Sequence, residues 1–183
     1  MYVTDEISSK YHAGKTQAGK YIGDIVYGAN DGIITTFAVV AGVAGAELFP
    51  KIVVVLGIAN LLADGFSMAA SNYLARKSEQ EYQDTLGETQ NRAEKNPWKN
   101  ALATFVSFVL AGFIPLIPYV FGIEVDTFLL AIISTSIALF AVGSLRSLVT
   151  GTKWWLAGTE MLLIGALAAT VAYVIGDLLG SLI

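Results

Sequence analysis

Five apolar runs, each long enough to cross a bilayer, leave this chain little freedom in what it can fold into. They occupy residues 25–46, 52–75, 101–123, 128–145 and 154–180, and about 17–25 residues suffice for a helical crossing. Inside hydrocarbon every backbone polar group must be satisfied within its own segment, which selects helices or closed barrels. Runs of this length select helices. Composition agrees, with 55% hydrophobic and 14% charged residues in a chain of 183, against roughly 45–50% apolar in soluble domains. The fold class expected is therefore an all-α integral membrane protein of five transmembrane helices. A polar segment over residues 1–23 precedes one membrane domain over 24–183, in which residues 77–99 form a short linker. The first 23 residues contain no apolar stretch of signal-peptide type, so the first span is expected to direct insertion.

Basic residues set the expected orientation, because Lys and Arg beside a span are retained on the cytoplasmic side. Lys10, Lys15 and Lys20 precede the first span; Arg76, Lys77, Arg92, Lys95 and Lys99 lie between the second and third; Arg146 and Lys153 lie between the fourth and fifth. Only Lys51 falls on the other side, so the N-terminus is expected inside and the C-terminus outside. Trp98, Trp154 and Trp155 then sit at cytoplasmic span ends, as an aromatic belt requires. The absence of cysteine excludes disulfides and thiolate chemistry, and a formal charge of -4 argues against nucleic acid.

Against this apolar background, acids inside the spans are the informative residues. Asp31 lies seven residues beyond Asp24, about 10 Å deeper at a rise of about 1.5 Å per residue. Met68 and, one turn deeper, Asp64 reach a similar level on the second span, and Glu160 and Met161 do so on the fifth. An acid costs about 3 kcal/mol at the centre of a membrane helix and is functional by default. With no Lys or Arg expected at that depth, a cation or a proton is left to compensate the acids. Asn30 adds an amide, and Asn60, Asp64, Ser67 and Ser71 follow i, i+4, i+7, i+11, a single stripe on the second span expected to face protein or water. Carboxylate, amide and hydroxyl oxygens with one thioether suit Fe(II) or Mn(II) better than Mg or Ca. Plainer readings stand beside this one. Met68 and Met161 can be packing residues, the serines can bond back to their own helix, and Asp24 can simply favour a helix N-terminus.

Gly28, Gly32, Gly42 and Gly45 make a small-residue surface on the first span, which admits a close helix from a second subunit or from the same chain. In the linker, Glu79, Glu81, Asp84 and Glu88 can attract metal to the pore mouth, or form only a solvated charged helix weakened at Gly87. His12 stands alone on the polar segment, and no nucleophile with an orienting base is present, so an enzyme is not expected.

The runs DIVYGANDGIITTFAVVAGVAGA, ANLLADGFSMAASNYLARKSEQEY, IPLIPY and MLLIGALAATVAYVIGDLLG resemble the vacuolar iron transporter family, and the resemblance covers essentially the whole chain. It implies a five-span homodimer that exports Fe(II), sometimes Mn(II), from the cytosol in exchange for protons, with the pathway between subunits and no prosthetic group. It further implies that Asp31 carries ion passage and proton coupling, that Asp24 is an acid nearer the cytosolic mouth, and that Met68 belongs to the metal site. Asn60 and Asp64 stand where plant members have glutamate and glycine, and Thr36 where they have proline, which leaves Gly32 to supply any kink in the first span. The long acidic domain of plant members is reduced to the 77–99 linker, which suggests a prokaryotic cell membrane, or a vacuolar membrane in a eukaryote. Two other functions are compatible with the residues alone: a membrane scaffold whose acids are satisfied internally, and a passive cation channel.

Overall fold

A computed structural model describes residues 2–87, 96–122 and 126–182, with side chains described from Tyr21 onward apart from 148 and 149. Every regular element is helical: α1 Tyr2–Gly45, α2 Pro50–Thr85, α3 Pro97–Gly112, a 3-10 turn Ile114–Leu116, the short α4 Ile117–Val120, α5 Thr127–Thr150 and α6 Trp154–Gly180. Five of the resulting segments are long and apolar enough to cross a membrane. The last coincides with the span expected over 154–180; the first, third and fourth match to within a few residues, and the second begins at Pro50 and runs ten residues past 75.

Local chemistry accounts for the ends. Pro50 and Pro97 occupy the first turns of their helices, where a missing N–H costs nothing. The side chains of Asn96 and Asp126 cap α3 and α5 by accepting from the N–H groups of Trp98 and Leu129, both at 3.1 Å. Gly151 closes α5 in the left-handed region at φ 68°, a conformation nearly free for glycine alone. Beyond its span, α2 continues to Thr85 and stops just before Gly87, which has φ 74°, as the weakening at that glycine predicts.

Two expectations about boundaries change. The polar segment over 1–23 is not separate from the first span, because α1 runs unbroken from Tyr2 into it. The third span is not continuous over 101–123: it starts at Pro97 and is interrupted after Gly112 by the 3-10 turn, and residue 123 lies outside the described set. Pro115 and Pro118 explain the interruption, since each lacks the N–H that an α-helix interior needs and clashes with the preceding turn.

The hub is α1, which packs against α2, α3, α5 and α6. Its glycines allow this. A Cβ added to Gly28 or Gly32 would run into the α3 backbone at Thr104 and Phe108, and one at Gly45 would meet the Tyr173 carbonyl of α6. Gly42 in turn faces Gly176, where an added Cβ would collide with the Gly42 carbonyl. Much of the small-residue surface is thus used in packing within the chain. Phe108, Leu116, Ile33, Val40 and Val53 fill the space between the helices. The outward residues of α6, such as Leu163, Leu167 and Val171, are exposed and apolar, as lipid contact requires.

Candidate functional site

The acids of the first span occupy two different environments. Near the start of its apolar stretch, α1 buries Asp24, whose side chain is 5% exposed. Three donor groups make four hydrogen bonds to that carboxylate. Oδ1 accepts from Asn72 Nδ2 at 2.8 Å and from an Arg76 terminal nitrogen at 2.7 Å; the same arginine nitrogen also reaches Oδ2 at 3.0 Å. Asn100 Nδ2 of α3 donates a further bond to Oδ2. Asn72 Nδ2 also donates to Thr104 Oγ1 at 3.0 Å, and Arg76 Nε donates to Asn72 Oδ1 at 3.1 Å. One carboxylate therefore ties α1 to α2 and α3, and charge-assisted bonds of this type are stronger than neutral ones. Arg76 gives this acid a basic partner.

Seven residues further along α1, Asp31 is partly buried and has no such partner. Its like-charged neighbour is Asp64 of α2, also partly buried. No ion pair among the described residues reaches either acid. Two carboxylates held near one another without a counter-ion repel, and a divalent cation or protons relieve that repulsion. In the same stretch Asn30 Oδ1 is buried and accepts no hydrogen bond, a second acceptor available to an incoming donor or ion.

The stripe on α2 is not enclosed by the chain's own helices. Val53, Gly57, Leu61, Gly65 and Ala69 form the buried face of α2, whereas Asn60, Asp64 and Met68 lie at its margin and Ser67 and Ser71 are exposed. Met68 packs against the core on one side. On the other it lines a cleft of about 450 Å³ with Tyr27, Ser71, Asn72, Arg76 and Glu79. Asp64 and Met68 thus belong to a polar surface that is open.

Two expected residues leave the group. Met161 is 3% exposed and packs with Ile33, Ala138 and Leu139, so it is a core residue. Glu160 is 56% exposed and paired with Arg146 across α5 and α6, another acid with the basic partner it was expected to lack. Among the described residues no group of three or more His, Cys, Asp or Glu is arranged to hold a metal ion. On the α2 extension, Glu79 accepts from Gln83 Nε2 at 3.3 Å and Glu81 pairs with Lys77 at 3.8 Å. With Asp84 also exposed, this is the solvated charged helix; Glu88 lies outside the described residues.

Asn72, Arg76, Asn100 and Thr104 are the site residues that sequence reasoning passed over. Asn72 with Arg76 and Asn100 with Thr104 are i, i+4 pairs at span ends, a signal that each pair shares a helix face. Neither spacing points to Asp24, so only the packing of α1, α2 and α3 unites them.

Comparison with known proteins places this arrangement in context. A family model described as "VIT family" matches residues 22–88 and 82–177. The chain is 30% identical to a vacuolar iron transporter of Centaurea cyanus over 212 aligned positions, covering 85% of this chain and 86% of that protein. It is 28% identical to vacuolar iron transporter 1 of Arabidopsis thaliana, with 85% of each chain covered. It is also 27% identical to a vacuolar iron transporter of Plasmodium berghei, covering 95% and 90%. An alignment of 212 positions exceeds the 183 residues present, so the plant relative carries residues that this chain lacks. The family match divides within the stretch where α2 ends.

Proposed function

The chain belongs to the VIT family, and from that premise we propose that it carries Fe(II), with Mn(II) as a second substrate, out of the cytosol in exchange for protons. The observation that carries the reading is the Asp31 and Asp64 pair, two partly buried acids close enough to repel and without an ion-pair partner among the described residues. Between them these carboxylates hold either one divalent cation or two protons. A metal arriving from the cytosol displaces the protons, and protons arriving from the far side neutralise the oxygens and release the metal. Two protons then move for each metal, and the exchange is electrically neutral.

Met68 adds a thioether at the same level and Asn60 an amide one turn beyond Asp64, a donor set that suits a first-row transition metal. The α2 stripe supports a homodimer. Asp64 and Ser67 on an open helix face are expensive against lipid, and a second copy related by a twofold axis would cover each stripe with its equivalent. The pathway then runs between subunits, and each supplies part of the ligand set. Basic residues place the Asp24 end of the bundle at the cytosol, and the short linker favours a prokaryotic cell membrane. Glu160, satisfied by Arg146, lies outside this exchange, and Asp24 is held by Arg76 at the cytosolic end of the path.

The test is metal uptake into proteoliposomes enclosing a pH-sensitive dye, with Fe(II), Mn(II), Zn(II) and Ca(II) offered in turn. Fe(II)- or Mn(II)-driven proton movement that Asp31→Asn abolishes is the expected result. Flux without proton movement makes the protein a channel, and no flux of any ion makes it a scaffold; either result overturns the reading.

A further inference from the structure

We propose that Arg76 is a tethered counter-cation for Asp24, a latch that a metal ion must displace to gain this carboxylate on its way to Asp31. The inference rests on the metal-carrying reading above. A carboxylate offers about four lone-pair sites, and at Asp24 four hydrogen bonds fill them. No site is left for a metal. An ion can bind Asp24 only after a donor withdraws, and the partners differ in their freedom to do so. Asn100 is 7% exposed and its withdrawal would strand a buried amide. The Arg76 side chain is 40% exposed and lines the open cleft that also contains Met68 and Glu79.

That cleft provides a second berth for the guanidinium. Glu79 follows Arg76 by three residues on α2, a spacing at which side chains meet, and it lines the same cleft. Its present contact is a long bond from Gln83, which is readily exchanged for an ion pair. Arg76 on Asp24 closes the acid to metal; Arg76 on Glu79 opens it. Because Arg76 carries its own positive charge, a monovalent cation gains little by replacing it. A divalent cation gains more, so the latch discriminates by charge at the entrance.

Two measurements on the full chain test this. In an Asp31→Asn background, which weakens the deeper site, Mn(II) binding to detergent-solubilised protein is followed by the loss of the free-ion paramagnetic resonance signal. Adding Arg76→Gln is expected to tighten the remaining binding by about tenfold or more, equivalent to about 1.4 kcal/mol, and adding Asp24→Asn to that variant cancels the gain. Arg76→Lys, which keeps the charge but not the fork of donors, should give a smaller gain and decides the matter if the glutamine variant does not fold. Unchanged Mn(II) affinity in the folded variants overturns the latch and leaves Arg76 a structural staple. In proteoliposomes, Glu79→Gln should raise the apparent KM for Mn(II) with kcat unchanged, and more than Glu81→Gln, which removes an equal charge outside the cleft. Equal effects of the two overturn Glu79 as the second berth. Loss of wild-type metal flux with the tenfold gain intact counts against the transport reading alone.

Discussion

Asp24 and Asp31 lie two turns apart on one helix and illustrate opposite ways of keeping an acid in a membrane protein. The first is buried and ringed by donors from α2 and α3; the second is partly buried beside another acid and has no ion-pair partner among the described residues. A satisfied carboxylate holds helices together. An unsatisfied one stores a cost that binding can relieve, and a transport site must have that property. The same contrast recurs on α6, where Glu160 is paired with Arg146.

The largest effect expected is functional. Asp31→Asn and Asp64→Asn should each reduce metal-driven proton movement to background while leaving thermal unfolding in detergent unchanged or raised, since each removes one member of a repelling pair. A matching loss of stability would erase the distinction between the two layers. Next, Arg76→Ala should lower stability by about 3 kcal/mol, the low end for breaking a buried pair, because it strands Asp24 while the arginine itself is 40% exposed. Chemical denaturation of the solubilised protein measures this, and a change below about 1 kcal/mol, the range of surface pairs, would class the Asp24 layer with exposed ion pairs.

Gly32→Val tests the packing that positions both acids. An added side chain meets the Phe108 backbone of α3, and overpacking of this kind costs about 1–3 kcal/mol, seen as a lowered melting temperature. Smallest of all, Arg146→Ala should change stability by no more than about 1 kcal/mol, because both partners are substantially exposed, and Glu160→Gln should keep metal flux. Loss of flux in that variant would return Glu160 to the pathway.

Much of the fold was legible in the residues because the bilayer reads length and polarity directly. The run over 154–180 became α6 without adjustment. Legibility failed where a neighbour decided the outcome. IPLIPY has enough apolar residues to continue a span, but its prolines turn the chain into a 3-10 segment. The glycine surface admitted either a second subunit or neighbours in the same chain, and the close backbone approaches to α3 and α6 are set by packing that no spacing records. Arg76, counted as a marker of orientation, turns inward to an acid 52 residues away.

From sequence alone came the number of apolar spans, their approximate positions and the resemblance to a transporter family, because hydrocarbon imposes period, length and polarity one segment at a time. Only tertiary structure decided which acids are neutralised. A counter-ion is a matter of a few ångströms across helices, and no spacing along the chain records it.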